Sequence, residues 1–308
     1  MAASTLRRSA HLAESGAKPA PLQSADMAHA DRRSPGFWRR LVRLRLALLS
    51  LVVLGLVLLM AVFAPLLAPF DPNVSDFSAV REAPSREHWL GTDVVGRDVL
   101  SRVIYGSRVS LAVAAVAVLI SSTIGLAIGS ASGFFGGWID AILQRITEIF
   151  LAFPSLLLII TVATALGPSL RNAMLIIGVF GWVGLSRLTR AEILSLKERD
   201  FTLAARTVGV GTARLVARHL LPNASGPLIV NAVYGLRAAI LAEAGLSFLG
   251  AGVPPPTASW GNMINIATSM TYLEGMPWAW VPPTVMLVAV VIAFSFVGDA
   301  VARVMRRE

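Results

Sequence analysis

Long apolar runs limit what this chain can fold into more than any other feature of its sequence. Residues 46–68 read LALLSLVVLGLVLLMAVFAPLLA without a charged side chain, and residues 109–131 are equally free of charge. Crossing the roughly 30 Å hydrocarbon core of a bilayer takes about 20 apolar residues in a helix. Four further runs reach or approach this length. They lie at residues 149–167, 173–190, 224–250 and 278–302. The pattern predicts an all-α integral membrane protein with six transmembrane helices.

The positions of Lys and Arg predict which side of the membrane each connection occupies. Nine of the 27 basic residues lie in residues 1–45, seven lie in 187–218 and three follow residue 302, whereas the connections on the opposite side contain six. Because basic residues accumulate in cytoplasmic loops, both termini and the 187–222 loop are predicted to be cytoplasmic. The net charge of +9 is therefore a topology signal of a cytoplasmic-membrane protein. We expect the lipid bilayer, and no nucleic acid, as its partner.

The runs and charges divide the chain into five segments. Residues 1–36 are rich in Ala, Ser and Pro and are predicted to be a disordered cytoplasmic tail. The following FWRRLVRLR predicts either a short amphipathic helix along the inner surface or a cationic flank that only fixes orientation. The other segments are this helix with the first span (37–69), an extracytoplasmic loop (70–108), a transmembrane core containing a cytoplasmic loop at 190–222 (109–302), and a cytoplasmic C-terminal tail (303–308).

The inventory of reactive side chains argues against an enzyme. The chain has no cysteine, and neither of its two lysines, Lys18 and Lys197, lies in a glycine-rich phosphate-binding loop. No two histidines have the spacing of metal ligands, and the serines within the spans lack a His, Lys or Asp partner at helical spacing. We therefore expect no catalytic residue, metal site or cofactor in this chain. A transporter, a channel or an anchored scaffold remains.

The cytoplasmic loop contains the most informative segment, LAARTVGVGTARLVARHLLPN at residues 203–223. The pattern predicts a helix from Ser195 to Val208, a sharp reversal permitted by Gly209 and Gly211, and a second short basic helix. Such a finger, with alanines on one side and arginines on others, suits insertion into a groove of a soluble partner. A solvated loop with ordinary positive-inside charge explains the same residues.

The finger resembles the EAA loop of ABC-importer permeases. The match rests on Ala204-Ala205, Gly209 and Leu221-Pro222, while Leu203 stands where the motif usually has an acidic residue. In that family the loop docks on the ATPase subunit and transmits its closure to the membrane helices. The resemblance thus implies a role in ATPase coupling for the loop, and we assign that role to Leu203, Ala204, Ala205, Arg206, Gly209, Arg214, His219, Leu221 and Pro222.

Two further stretches narrow the resemblance to one branch of the permeases. HWLGTDVVGRDVLSRVIYGSRVSL (88–111) and AEAGLSFLGAGVPPPTASWGN (242–262) are similar to hallmark stretches of the dipeptide/oligopeptide/nickel permease family, and specifically of its second, C-type, permease subunit. The resemblance covers about residues 37–302. Ser295 departs from it, because the family usually has Asn there, and Arg237 is not a residue that the family leads us to expect.

The resemblance implies a function and a set of partners. The chain would be one permease half of an ABC importer with the type I importer fold, moving di- or oligopeptides by alternating access. Its partners would be a homologous second permease, two ATPase subunits that hold the ATP and Mg²⁺, and an extracytoplasmic substrate-binding protein. Nickel or another small solute is the alternative cargo within the same family.

Candidate contacts on the outer face lie in the two hallmark stretches. Charges alternate in sign after His88, and Arg97 and Asp98 can bracket a salt-bridged cap over the external mouth. In the functional interpretation this face is a docking or pore-entry surface, and the docking residues we assign are Asp93, Arg97, Asp98 and Trp260. In the structural interpretation the loop satisfies its own charges, and exposed ion pairs there contribute about 0.2–1 kcal/mol each.

Two ionisable residues lie inside the fifth predicted span. Glu243, with Ser247, can line the substrate path, since charged groups within a membrane are costly and often functional. Alternatively, the Glu243 carboxylate is tied to the backbone turn that ends at Ser247. Arg237 lies six residues earlier, about 240° around the helix, so it does not share a face with Glu243. The sequence gives no physical account of Arg237.

Two other classes of function stay open at this point. A secondary transporter acting alone would need intramembrane ion sites, for which Glu243 and Arg237 are the candidates, and it would leave the finger unexplained. A non-transporting anchor or scaffold would account for the finger but not for the hallmark stretch in the external loop.

Overall fold

The computed structural model describes residues 45–305, and in that range the chain folds into helices and loops without a β-strand. A five-residue π-helical turn (Val216–Leu220) and a short 3-10 turn (Asn265–Thr268) connect some of the helices. In chain order the helices are α1 (Arg45–Val62), α2 (Ala64–Leu67), α3 (Val99–Phe135), α4 (Gly137–Leu151), α5 (Ser155–Leu166), α6 (Leu170–Phe180), α7 (Val183–Leu196), α8 (Asp200–Thr207), α9 (Thr212–Leu215), α10 (Leu221–Asn223), α11 (Ser225–Phe248), α12 (Trp260–Ile264), α13 (Met270–Gly275) and α14 (Pro277–Met305).

Five segments of the described range are long and apolar enough to cross a membrane. They are α1, α3, the continuous stretch Leu170–Leu196 formed by α6 and α7, α11 and α14. Helices α4 and α5 pass the same test only as a pair, which is bent by 80°. The predicted all-α membrane fold is confirmed, with five continuous spans and one bent pair.

Pro154 lies inside the third predicted span, residues 149–167, where a proline is expected to kink the helix, and the structure breaks the helix at this residue. Helix α4 ends at Leu151 and α5 begins at Ser155, with the 80° bend between them. Pro154 has an extended ψ of 118° and no N–H to donate to the hydrogen-bond ladder of α4. Its ring also disfavours helical backbone at the preceding residue, Phe153. The proline therefore ends one helix and starts the next.

Other boundaries differ from the predicted ones for local reasons. Helix α3 begins at Val99, ten residues before the predicted span, because the Asp98 carboxylate accepts a hydrogen bond from the Ser101 N–H at 2.7 Å and caps the helix. The predicted helix over 195–208 is interrupted before α8, where Arg199 is extended with ψ 148°. Helix α14 continues through Met305. Predictions for residues 1–44 and 306–308 lie outside the described residues.

Helices α3 and α7 pack at close range through a stripe of glycines. Gly125, Gly129 and Gly133 recur every four residues on one face of α3. A Cβ added at Gly129 would lie 2.4 Å from the carbonyl oxygen of Ser186, and one at Gly133 would lie 2.9 Å from that of Arg190. Small residues let membrane helices approach closely, and packing rather than water exclusion holds such helices together. The stripe makes α3 and α7 one tightly packed unit.

The buried core and the exposed surface are both apolar. The core cluster takes residues from most of the spans, among them Val113 of α3, Ile240 of α11 and Val290 of α14. At the same time α1 exposes large side chains such as Leu49 and Leu56 along its length. A helix that is apolar on both its inner and its outer side suits lipid or a neighbouring membrane helix as its surroundings.

Candidate functional site

Helix α8 ends in a reversal that only Gly209 makes. Gly209 has φ +79°, the left-handed region that favours glycine, and its N–H donates to the Arg206 carbonyl at 3.0 Å. The next N–H, of Val210, reaches back to the Ala205 carbonyl at 3.1 Å, which completes a Schellman motif. Gly211, predicted to share this task, has an ordinary φ of −64°. The reversal therefore depends on one glycine and not two.

The finger, defined as residues 200–224, presents apolar side chains to its surroundings. Val208 is 79% exposed at the tip and Leu203 is 49% exposed on α8. Ala204 is exposed beside them, and Ala205 is half-buried. Each Å² of apolar surface that a partner covers would contribute about 25 cal/mol to the free energy of binding. The finger thus has a surface suited to docking, made of Val208 together with residues from the predicted coupling set.

The finger and the C-terminal end of α7, which precedes it, are both fastened to the end of α3. The Arg206 guanidinium lies over the ring of Phe134, 5.1 Å from its centroid, and Lys197 Nζ donates to the Gly133 carbonyl at 3.2 Å. Nearby, the Asp140 carboxylate of α4 accepts two hydrogen bonds from the Arg190 guanidinium of α7, at 2.7 and 2.6 Å. Such bidentate pairs fix geometry as well as charge. A displacement of the finger would therefore act on α3, α4 and α7 together.

The second half of the finger returns the chain to the membrane. Arg214 of α9 is exposed, and the π-helical turn that follows carries a half-buried His219, whose carbonyl accepts from Asn223 Nδ2 at 2.6 Å. Leu221 is half-buried and Pro222 is exposed in α10. Single π-helical turns often occur at functional sites. All nine residues of the predicted coupling set thus lie in one helix–reversal–helix element.

The fully buried side chain of Glu243 connects α11 to α3 and to the loop that follows α11. Its carboxylate is 0% exposed and accepts from Ser247 Oγ at 2.8 Å and from Ser110 Oγ of α3 at 3.0 Å. The two serines extend the network, because Ser247 Oγ accepts from the Val253 N–H at 3.0 Å and Ser110 Oγ from the Trp260 N–H at 3.4 Å. The carboxylate has no open surface in this structure, so lining a substrate path would require this network to open.

The charged residues of the external loop do not form the predicted salt-bridged cap between Arg97 and Asp98. Arg97 Nε lies 3.2 Å from the Asp93 carboxylate, and Asp98 instead contacts His88 Nδ1 at 3.0 Å. Arg102, on the first turns of α3, donates through Nη1 to the carbonyls of Pro72 and Pro256, at 2.9 and 3.2 Å. These buried or largely buried groups hold the outer loops against α3.

Trp260 also lies inside and not on the outer surface. It is fully buried, and its indole N–H donates to the Val103 carbonyl at 3.1 Å. Helix α12 places it there, since Ser259 caps that helix in a capping box with Asn262. Asp98 and Trp260 therefore cannot contact another protein directly, and the docking interpretation of these two residues has to be corrected.

Sequence reasoning missed a polar network between α11 and α14. Arg237 Nη1 donates to Ser295 Oγ at 3.2 Å, and its guanidinium lies 5.3 Å from the centre of the Tyr234 ring. The Tyr234 hydroxyl donates to the Asp299 carboxylate at 2.5 Å. Gly298 allows this contact, because a Cβ there would lie 2.6 Å from the Tyr234 ring. Arg237 and Ser295, two residues that the family pattern does not lead us to expect, thus contact each other. Helical periodicity on one helix does not reveal such a pairing.

A cavity of about 640 Å³ opens beside this network, towards the end of the chain's helices that the charges assign to the cytoplasm. Helices α7, α11 and α14 form its walls. Polar groups from α10 and α11 line it together with Tyr234, and they include Asn223, Ser225 and Asn231. Cavities of a few hundred Å³ are the usual size for small-molecule sites.

A bundle of membrane-spanning helices with an exposed helical finger defines a multi-pass membrane protein. Residues 124–308 match the family described as binding-protein-dependent transport system inner membrane component, and residues 34–84 match the N-terminal transmembrane domain of oligopeptide transport permease C. The first match covers more than half of the chain. The chain belongs to the family of binding-protein-dependent transport system inner membrane components, and it is a multi-pass membrane protein of the C-type permease group.

Relatives and a solved structure agree with this family. A putative peptide permease protein of Brucella suis biovar 1 is 44% identical over 84% of this chain and 86% of its own length. The oligopeptide transport system permease protein OppC of Bacillus subtilis is 35% identical over 92% and 93%. An inward-facing structure of the MetNI methionine ABC transporter matches with a TM-score of 0.53 at 20% identity, covering 66% of this chain and 95% of that one. This likeness shows the fold, which is that of a type I ABC importer permease.

Proposed function

We propose that this chain is one of two permease subunits of an ATP-driven importer of di- or oligopeptides in the cytoplasmic membrane, with both termini in the cytoplasm. The exposed finger closed at Gly209 is the observation that carries the proposal. A polar, solvated loop would not need Val208 and Leu203 on its surface, whereas an interface does. The peptide cargo is supported by the peptide, dipeptide and oligopeptide permeases among the relatives.

The remaining subunits follow from this role. A second, homologous permease completes the path across the membrane, two ATPase subunits hold ATP and Mg²⁺, and an extracytoplasmic binding protein delivers the solute. This chain contributes no catalytic residue and binds no cofactor of its own. Its work is to convert a movement of the finger into a movement of the membrane helices.

The contacts that join the finger, α7, α4 and the end of α3 support a mechanism of alternating access. ATP binding closes the ATPase subunits and shifts the finger as a rigid element. The bidentate Arg190–Asp140 pair and the glycine stripe of α3 carry that shift into α3, α4 and α7. Because these elements are tightly packed, they move as a unit, and the path opens outward. Hydrolysis then resets the complex.

The binding protein docks on a different part of the external loop from the one that the sequence suggests. Among the exposed large apolar side chains of the loop before α3, those of Val74, Phe77 and Trp89 are the most exposed. Aromatic side chains are enriched at protein interfaces, where they supply most of the binding energy. We therefore place the docking contact on these three residues, and assign the buried Asp98 and Trp260 to supporting that loop.

A mild-detergent pull-down of the tagged full-length chain, followed by intact-mass analysis, tests the proposal. We expect a second permease and two ATPase chains to remain attached. The recovered complex, reconstituted into vesicles with its binding protein, should take up a labelled dipeptide only with ATP. A chain that stays a lone monomer or homodimer contradicts the importer, and a four-chain complex that takes up nickel but no peptide contradicts the cargo.

A further inference from the structure

Arg237 lies within a membrane span, where a positive charge is energetically unfavourable and is usually retained for a function. It is the thirteenth of the 24 residues of α11, so about 17 Å of helix separates it from either end of the span. Within residues 45–305 the ion pairs do not include Arg237. Ionisable residues this deep in a membrane usually pair with an opposite charge or serve a transported ion or solute.

The surroundings of Arg237 orient the guanidinium without neutralising it. Ser295 donates its own hydroxyl to the Val291 carbonyl at 2.8 Å, which leaves its oxygen to accept from Arg237. The guanidinium lies over the ring of Tyr234, and the hydroxyl of that tyrosine donates to the Asp299 carboxylate. Both direct partners of Arg237 are thus neutral.

Most of the hydrogen-bonding capacity of Arg237 is left for a ligand. A guanidinium has five N–H donors in a planar fork, and the hydrogen bond to Ser295 uses one of them among the described residues. The side chain is half-buried, so it can be reached from the surface of the chain. A planar fork of donors on a fixed cation matches the two oxygens of a carboxylate.

We propose that Arg237 is a specificity-determining residue of the translocation path that receives a carboxylate of the passing solute. Tyr234 and Ser295 position the guanidinium for this contact. The 640 Å³ cavity, which reaches Tyr234, then accepts the solute on the cytoplasmic side. This inference rests on the proposed import of peptides, whose C-terminus is a carboxylate, and it predicts that neutral analogues pass less well.

The test compares peptide uptake by the reconstituted four-subunit complex with Arg237 in place and with Arg237 substituted. The probes are dialanine, dialanine amide and alanyl-aspartate, supplied with the binding protein saturated in each case. We expect Arg237→Gln to lower dialanine uptake about tenfold, because one charged hydrogen-bonding contact is lost, while amide uptake stays unchanged. Arg237→Lys should retain part of the preference. A fourth probe, alanyl-aspartate amide, is compared with dialanine amide and tells whether a side-chain carboxylate replaces the C-terminal one.

Arg108 supplies a matched control. It is an exposed arginine of α3 that also lies over a tyrosine ring, 5.9 Å from the centre of Tyr105. Arg108→Gln should leave the ratio of acid to amide uptake unchanged. If Arg237→Gln lowers the uptake of all probes equally, or of none, the carboxylate contact is refuted and the residue is structural. If the wild-type complex moves none of the peptides, the proposed function itself fails, and the role of Arg237 fails with it.

Discussion

At the scale of single residues, burial separates structural polar groups from candidate path residues. Glu243 and Arg237 lie in the same helix, yet the Glu243 carboxylate is held by two serines, one of α3 and one of α11, whereas Arg237 faces α14 and remains half-buried. A pair of ion-coupling sites, as a secondary transporter would need, is therefore not assembled by these two side chains. Their different surroundings give each a different expected response to mutation.

Glu243→Gln should leave transport nearly unchanged. Glutamine has almost the same shape, and its amide can still hydrogen-bond to Ser110 and Ser247. Glu243→Ala should instead lower the free energy of unfolding by about 1–3 kcal/mol, because it leaves buried hydroxyls without their acceptor. Uptake kinetics and thermal unfolding of the purified complex measure the two effects. A tenfold rise in KM for Glu243→Gln at unchanged melting temperature would instead place the carboxylate in the path.

Gly209→Val should uncouple ATP hydrolysis from uptake. A left-handed φ costs an L-residue roughly 1–2 kcal/mol, and a β-branched residue tolerates it poorly. Among residues 45–305 no atom lies within 4 Å of an added Cβ at Gly209, so within this chain the substitution tests backbone strain. Gly209→Asn should retain coupling, because Asn visits this region more readily.

Gly211→Ala is the matched control for that substitution. Gly211 has the same open surroundings but an ordinary φ of −64°, so alanine there should leave coupling intact. The measurement is the ratio of solute taken up to ATP hydrolysed by the reconstituted complex. Equal ratios for Gly209→Val and Gly211→Ala would mean that the reversal at Gly209 is not needed for coupling.

At the scale of the elements, the α3–α7 contact depends on the absence of side chains. Gly129→Ala should destabilise the protein by about 1–3 kcal/mol, because the new Cβ would meet a backbone oxygen at 2.4 Å that cannot move without shifting α7. Gly184→Ala in α7 is the control, since nothing lies within 4 Å of its added Cβ. Thermal unfolding in detergent should therefore show a lower midpoint for Gly129→Ala alone. Equal midpoints would contradict the close packing.

Local signals predict some of these elements well and others not at all. The apolar runs locate α1, α11 and α14 because length and hydropathy alone decide a membrane span. The break at Pro154 and the early start of α3 escape that criterion, since they depend on one proline and one capping carboxylate. The site divides in the same way. The chain reversal at Gly209 can be predicted from the local sequence. The contact between Arg237 and Ser295 cannot, because these residues lie in two helices and are 58 positions apart in sequence.

At the scale of the whole molecule, the bent pair α4–α5 decides the sidedness of everything that follows it. If the pair crosses the membrane, the finger and the C-terminus lie on the same side as the N-terminus. If it re-enters and returns, both lie on the opposite side. The seven basic residues between 187 and 218 favour the first arrangement, because their translocation outward would be unfavourable. We therefore expect six crossings.

Single cysteine substitutions can measure the number of membrane crossings, because the natural chain has no cysteine. We expect a membrane-impermeant maleimide to label Val74→Cys, which is on an exposed position of the external loop, in cells with an intact cytoplasmic membrane. Ser9→Cys and Glu308→Cys should react only after permeabilisation, which also serves as the control for reactivity. Labelling of both Val74→Cys and Glu308→Cys in intact cells would show five crossings and a re-entrant pair. The finger would then lie outside, where no ATPase could dock, and the coupling role would fail with the topology.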